Sequence, residues 1–98
     1  MFSNVTVFTL RAGATAEALT GWAAAALPTF KEEAGFRGLL LLGDAAGTGG
    51  QIVTLWESQE AMGAALAGPR HPERLEALLR VIEPPTQRPH HVLLHALT

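Results

Sequence analysis

The sequence predicts one α+β domain of order β-α-β-β-α-β, and three observations carry the prediction. Four segments rich in β-branched, aromatic or leucine residues alternate with segments whose apolar residues recur every three or four positions. Turn signals at Gly13, Gly35, residues 44–50, Gly68-Pro69 and Pro84-Pro85 fall between them. At 98 residues, the chain suits a single domain and has room for no second one.

The first strand is expected over residues 2–10, Phe-Ser-Asn-Val-Thr-Val-Phe-Thr-Leu, ended by Arg11-Ala12-Gly13. Thr15 then fits a helix N-cap, with Glu17 in the first turn where the helix dipole favours an acid. Leu19, Trp22, Ala23, Ala26, Leu27 and Phe30 form one apolar stripe. Pro28 interrupts it and predicts a kink, or a break with a second short turn, because it removes a hydrogen bond and crowds the preceding turn. Gly35 ends the segment. Phe36–Gly43 reads as the second strand, residues 44–50 as a glycine-rich hairpin loop, and Gln51–Glu57 as the third strand.

Ser58 caps the next helix, with Ala61, Met62, Ala65 and Leu66 on its buried side, until Gly68-Pro69 breaks it. His71-Pro72 is expected to start a further helix, proline suiting the first helical position. Leu75, Leu78, Leu79 and Ile82 continue that helix until Glu83-Pro84-Pro85. The last strand is expected over His90–Leu97. This order is the ferredoxin-like split arrangement with an antiparallel sheet.

The strands are apolar on both faces: Leu39 and Leu41 oppose Leu40 and Leu42, and Ile52 and Trp56 oppose Val53 and Leu55. Helices can cover one face only. The composition agrees, since 48% of residues are hydrophobic and 16% charged, against about 25% charged in ordinary domains. A domain this short buries only about 60–65% of its unfolded surface. A second copy packed on the open face, as a homodimer, is the expected partner.

Composition also sets exclusions. The net charge is −2, and Arg70, Arg74 and Arg80 interleave with Glu73, Glu76 and Glu83, so no basic patch for nucleic acid is expected. The chain has no cysteine, which excludes disulfides and thiolate chemistry. No apolar stretch approaches the ~20 residues of a membrane span. Residues 1–4 enter strand-like sequence directly, so a cytoplasmic protein without a signal peptide is expected. His91 and His95 lie ~13 Å apart on a strand, too far to share a metal, and His90 points to the opposite face from His91. Neither a metal nor another cofactor is expected. Gly47-Thr48-Gly49-Gly50 is followed by a strand rather than a helix and is read as a hairpin, not a phosphate loop.

Gly35-Phe36-Arg37-Gly38, the leucine-rich strand, the glycine-rich hairpin and Leu55-Trp56-Glu57-Ser58-Gln59-Glu60-Ala61 together resemble the antibiotic biosynthesis monooxygenase family over nearly the whole chain. The resemblance implies a dimeric α+β barrel with a pocket between each sheet and its helices. It also implies an activity found among cofactor-independent oxygenases of aromatic polyketides, or among haem-degrading oxygenases; other members have no known activity. The polyketide oxygenases share the residue matching Trp56, but this chain has Ile52 where they have Asn and Met62 where they have Tyr. Where the haem degraders have a second Trp, a strand-one Asn and a helix His, this chain has Ala65, Thr6 and Leu75.

Two residues are the candidate catalytic groups. His71, at a predicted helix N-terminus whose dipole disfavours the imidazolium, could serve as a base toward a phenol-like substrate, or could be a surface or capping His. Trp56 could stack on an aromatic ligand, or lock strand to helix. Asn4 or Thr6 could anchor a polar group, with Phe30, Ile52, Met62 and Ala65 as further wall. The function expected first is a cofactor-independent monooxygenase of a small aromatic or quinol-like substrate. The alternatives are a non-catalytic dimer binding an apolar ligand or haem, and a structural or stress-associated dimer with a filled pocket.

Overall fold

The computed structural model describes residues 1–93. Its elements are β1 (Phe2–Thr9), α1 (Ala16–Lys31), β2 (Phe36–Gly43), β3 (Gly49–Trp56), α2 (Gln59–Ala67), α3 (Arg70–Leu78) and β4 (Thr86–His91). The strands form one antiparallel sheet in the order β2-β3-β1-β4, the ferredoxin-like arrangement with the second helix split in two.

Local chemistry sets most boundaries as expected. The Thr15 and Ser58 side chains each accept from the backbone N–H three residues on, capping α1 and α2. Gly35 leaves α1 at φ +81, a conformation that costs any other L-residue about 1–2 kcal/mol. Its carbonyl accepts from Glu57 N at 2.7 Å and so ties the start of β2 to the end of β3.

Four expectations are corrected. Pro28 does not break α1, which runs through it; buried Ala26 and Phe30 hold the final turn on the core, and the Thr29 hydroxyl donates to the Ala26 carbonyl at 2.6 Å. β3 starts at Gly49, so two glycines read as loop pair in the sheet. α3 starts at Arg70 after a Pro69 N-cap and stops at Leu78, short of Ile82. Pro72 is tolerated because N–H groups of the first turn have no partner inside the helix. Ile82 lies instead in a bridge with Leu10, fully buried. The last strand begins at Thr86 and not His90, running Thr-Gln-Arg-Pro-His-His along β1. This polar stretch can be a strand because β4 is an edge, where proline is allowed. The expected strand residues 94–97 lie outside the described residues.

One sheet face carries Phe2, Asn4, Thr6 and Phe8 of β1 opposite Trp56, Thr54, Ile52 and Gly50 of β3. The helices cover this face. Its core has two clusters, one around Trp56, Phe30, Met62 and Phe2, the other around Ile52, Leu78, Ile82 and Phe8; Trp22 packs on both. The opposite face shows Val7, Leu40 and Leu42 at 46, 50 and 48% exposure. Among the described residues, no helix is long and apolar enough to cross a membrane.

Candidate functional site

Between the sheet and α3 lies a cavity of about 50 Å³. β1 contributes Asn4 and Thr6, β3 contributes Ile52, Thr54 and Trp56, and α1 contributes Trp22 and Phe30. α2 supplies Ala65 and Leu66; α3 supplies His71, Arg74, Leu75 and Leu78; Gln87 of β4 completes the wall. The alternation of β1 and β3 puts every second residue into this space, whereas α3 presents one stripe at positions 71, 74, 75 and 78.

The expected residues Asn4, Thr6, Phe30, Ile52, Trp56, Ala65 and His71 thus line one cavity. Met62 does not: it is 7% exposed and packs in the core with Phe2, Phe30 and Trp56, one turn before Ala65 on α2. One turn shifts a side chain about 5.4 Å along the helix, which carries Met62 past the cavity.

Trp56 is 1% exposed, and its indole N–H donates to the Thr54 hydroxyl at 2.9 Å. Phe30 meets it edge-on at 6.3 Å, with Phe36 stacked behind Phe30 at 5.4 Å. These rings form a rigid aromatic wall with no spare donor on the indole. His71 is half-buried, and its pKa is lowered from 6.5, first by burial and second by the Arg74 charge, both of which disfavour the imidazolium.

Arg74 is the functional candidate that sequence reasoning missed. It is 6% exposed, an unusual burial for arginine. Its guanidinium lies 4.1 Å from the Phe30 ring centroid, and Nη1 donates to Thr29 Oγ1 at 3.2 Å and to Glu33 Oε1 at 3.4 Å. Its carbonyl accepts from the Trp22 indole at 3.0 Å. Nε is the buried side-chain polar atom without a hydrogen-bond partner among the described residues. The signal was present in the sequence: Arg74 follows His71 by three and precedes Leu78 by four, so it occupies an apolar stripe.

Among the described residues, no group of three or more His, Cys, Asp or Glu could hold a metal. His91 packs edge-on against Phe2 at 5.0 Å, and His90 Nδ1 lies 2.9 Å from the Arg88 carbonyl. His95 lies outside the described residues.

The fold and cavity define a small α+β domain built around an aromatic-walled internal site with one buried cation and one half-buried imidazole. The antibiotic biosynthesis monooxygenase family model matches residues 1–83, and the chain belongs to that family. No curated protein matches it. Among solved structures, it is similar to SnoaB, a cofactor-independent oxygenase from Streptomyces nogalater, at 18% identity and TM-score 0.81, covering 96% of this chain and 94% of that one. NE2512 of Nitrosomonas europaea, a protein of unknown function, is similar at 17% identity and TM-score 0.77, covering 99% and 93%. Rv0793 of Mycobacterium tuberculosis is similar at 18% and 0.77, covering 98% of each. At these identities the likeness concerns the fold.

Proposed function

We propose that the protein is a homodimeric, cofactor-independent monooxygenase of a small phenol or quinol. The observation that carries the reading is a half-buried His71 with a lowered pKa beside a buried Arg74 on the wall of a cavity faced by Trp56 and Phe30. SnoaB, of the same fold, is a cofactor-independent oxygenase. His71 takes the phenolic proton. The electron-rich anion reduces O₂, and a ring carbon forms a bond to oxygen, giving a hydroperoxide that receives the proton. Loss of water then leaves a quinone carbonyl: one oxygen atom enters product and the other leaves as water. Trp56 holds the ring plane, and Asn4 or Thr6 anchors a second polar group. The dimer is supported by the apolar face of Val7, Leu40 and Leu42, which no helix among the described residues covers.

One benzene ring takes a cavity of about 150 Å³, three times the space present. A ring therefore enters only if the walls of the cavity move apart.

The test is oxygen uptake with single-ring phenols and quinols. Substrate-dependent uptake with quinone formed is expected, and His71→Ala should lower kcat by about 10²–10⁴, the range for a general base, with dimer and Tm nearly unchanged. Absence of uptake across the series sinks the reading. The small cavity and the packed cluster of Phe30, Trp56 and Met62 favour a second reading, a structural dimer with a filled pocket. It predicts that no single-ring compound binds; haem is larger still.

A further inference from the structure

The two tryptophans on the cavity wall each spend their one donor inside the protein. Trp22 gives its indole N–H to the Arg74 carbonyl at 3.0 Å, and Trp56 gives its own to Thr54 Oγ1 at 2.9 Å. The two bonds differ in kind. A backbone carbonyl is present whatever the residue, whereas a hydroxyl at position 54 requires a particular side chain. Thr54 stands two residues before Trp56 on β3, so both side chains lie on the helix-covered face, and both line the cavity. Thr54 is itself 7% exposed.

The other contacts of the Trp56 ring carry less direction. Phe30 and Phe36 meet it edge-on, at 67° and 74°. Apolar burial is non-directional, whereas an N–H···O bond weakens steeply off line. Without the Thr54 hydroxyl, a donor on a 1% exposed side chain would lose its partner. That cost biases the ring by about 10- to 100-fold toward any orientation that finds an acceptor. Asn4, opposite Thr54 in the β1–β3 register, and Thr6 carry acceptors on the same cavity wall.

We infer that Thr54 is a positioning residue of the cavity: its hydroxyl takes the Trp56 donor and fixes the indole, so Trp56 offers a ligand carbon surface alone and polar recognition on the sheet wall falls to Asn4 and Thr6. The inference rests on the oxygenase reading only for its choice of cavity. The ligand it implies has two unlike sides, a flat apolar one for Trp56 and oxygen or nitrogen atoms on the edge toward β1.

Two variants of the full-length protein test this. Thr54→Val keeps the branched shape and removes the hydroxyl; Thr54→Ser keeps the hydroxyl and removes a methyl. In a proton–nitrogen NMR correlation spectrum, the Trp56 indole signal is the one lost in Trp56→Phe. It should lie downfield in the wild type, as a hydrogen-bonded N–H, move or split in Thr54→Val, and return in Thr54→Ser. Oxygen uptake with hydroquinone is the second measurement. Thr54→Val should lower kcat by about 10- to 100-fold, the scale of a misplaced wall, with KM nearly unchanged, and Thr54→Ser should recover most of the loss. A packing role alone predicts the opposite order, with Val tolerated better than Ser because it fills the buried space. An indole signal unmoved in Thr54→Val, Ser no better than Val, or an unchanged kcat in Thr54→Val overturns the inference. If Thr54→Val fails to fold, the wild-type signal and Thr54→Ser decide, and a wild-type Trp56 proton at the position of a free indole overturns it. Absence of oxygen uptake counts against the oxygenase reading alone, and the indole spectra then decide the role of Thr54 by themselves.

Discussion

Trp56 and His71 line the same cavity but contribute through different physics. Trp56 is a nearly inaccessible side chain whose one donor is satisfied by Thr54, so its truncation empties the core and orphans a hydroxyl partner. Trp56→Ala should cost about 3–5 kcal/mol, read as a lowered midpoint in denaturant melts. His71 contributes little area but a pH dependence. Its folded pKa lies below the 6.5 of the unfolded chain, because burial and then Arg74 disfavour the cation. The unfolded state therefore binds the proton more readily. Stability is fully present above about pH 6.5 and declines as the pH falls toward the lower folded value. Urea melts between about pH 7 and pH 5 should show this decline, and His71→Asn should flatten it. An unchanged slope in the variant would assign the acid sensitivity elsewhere.

At the scale of elements, the joints are as specific as the strands and helices. Gly35 sits where α1 hands over to β2, with positive φ, and a Cβ there would lie 2.6 Å from the Ala61 Cβ on α2. Gly35→Ala should cost more than the about 1–2 kcal/mol of the left-handed conformation alone, since α2 must also shift; a thermal melt checks it. α3 is fixed at its two ends by unlike contacts. Arg70 pairs with Glu32 near its start, and the Arg11 Nε donates to the Leu79 carbonyl at 2.6 Å beyond its end. Between them, the buried Arg74 guanidinium, paired with the partly buried Glu33 carboxylate, holds the middle. Removing the Glu33 charge leaves a buried guanidinium without its carboxylate, so Glu33→Gln should loosen α3 and speed hydrogen exchange of its amides relative to those of β1 and β3.

For the whole molecule, the open sheet face is the feature on which the proposed dimer rests. Leu40 and Leu42 on β2 and Val7 on β1 stand on the side away from the helices, about half exposed each. A contiguous apolar sheet face marks an interaction surface, and a twofold mate offers the same face in return. Light scattering at low micromolar concentration should report twice 10.4 kDa. Leu40→Asp should shift the mass toward the monomer and lower the Tm, because a charge there would be buried in the interface. A wild-type monomer of ordinary stability would refute the dimer.

By itself the sequence determined the order of elements, the Thr15 and Ser58 caps, the split second helix and the apolar residues on both faces of β2 and β3. These follow from periodicity and turn chemistry, which act over a few residues: Thr15 and Ser58 cap, Gly35 turns and Gly68-Pro69 breaks wherever the rest of the chain lies. It also brought forward His71 and Trp56, because a histidine near a helix start and a tryptophan at a strand end are visible locally. The tertiary structure alone decided that Thr86–His91 is a strand, since polar edge residues take their conformation from pairing with β1 rather than from their own pattern. It alone placed Met62 in the core and Arg74 in the wall. A helical stripe shows which side chains share a face, but not which of them a neighbouring helix will cover. That depends on how α1 and α3 cross the sheet, and so the buried cation at Arg74 Nε emerged only when the helices were in place.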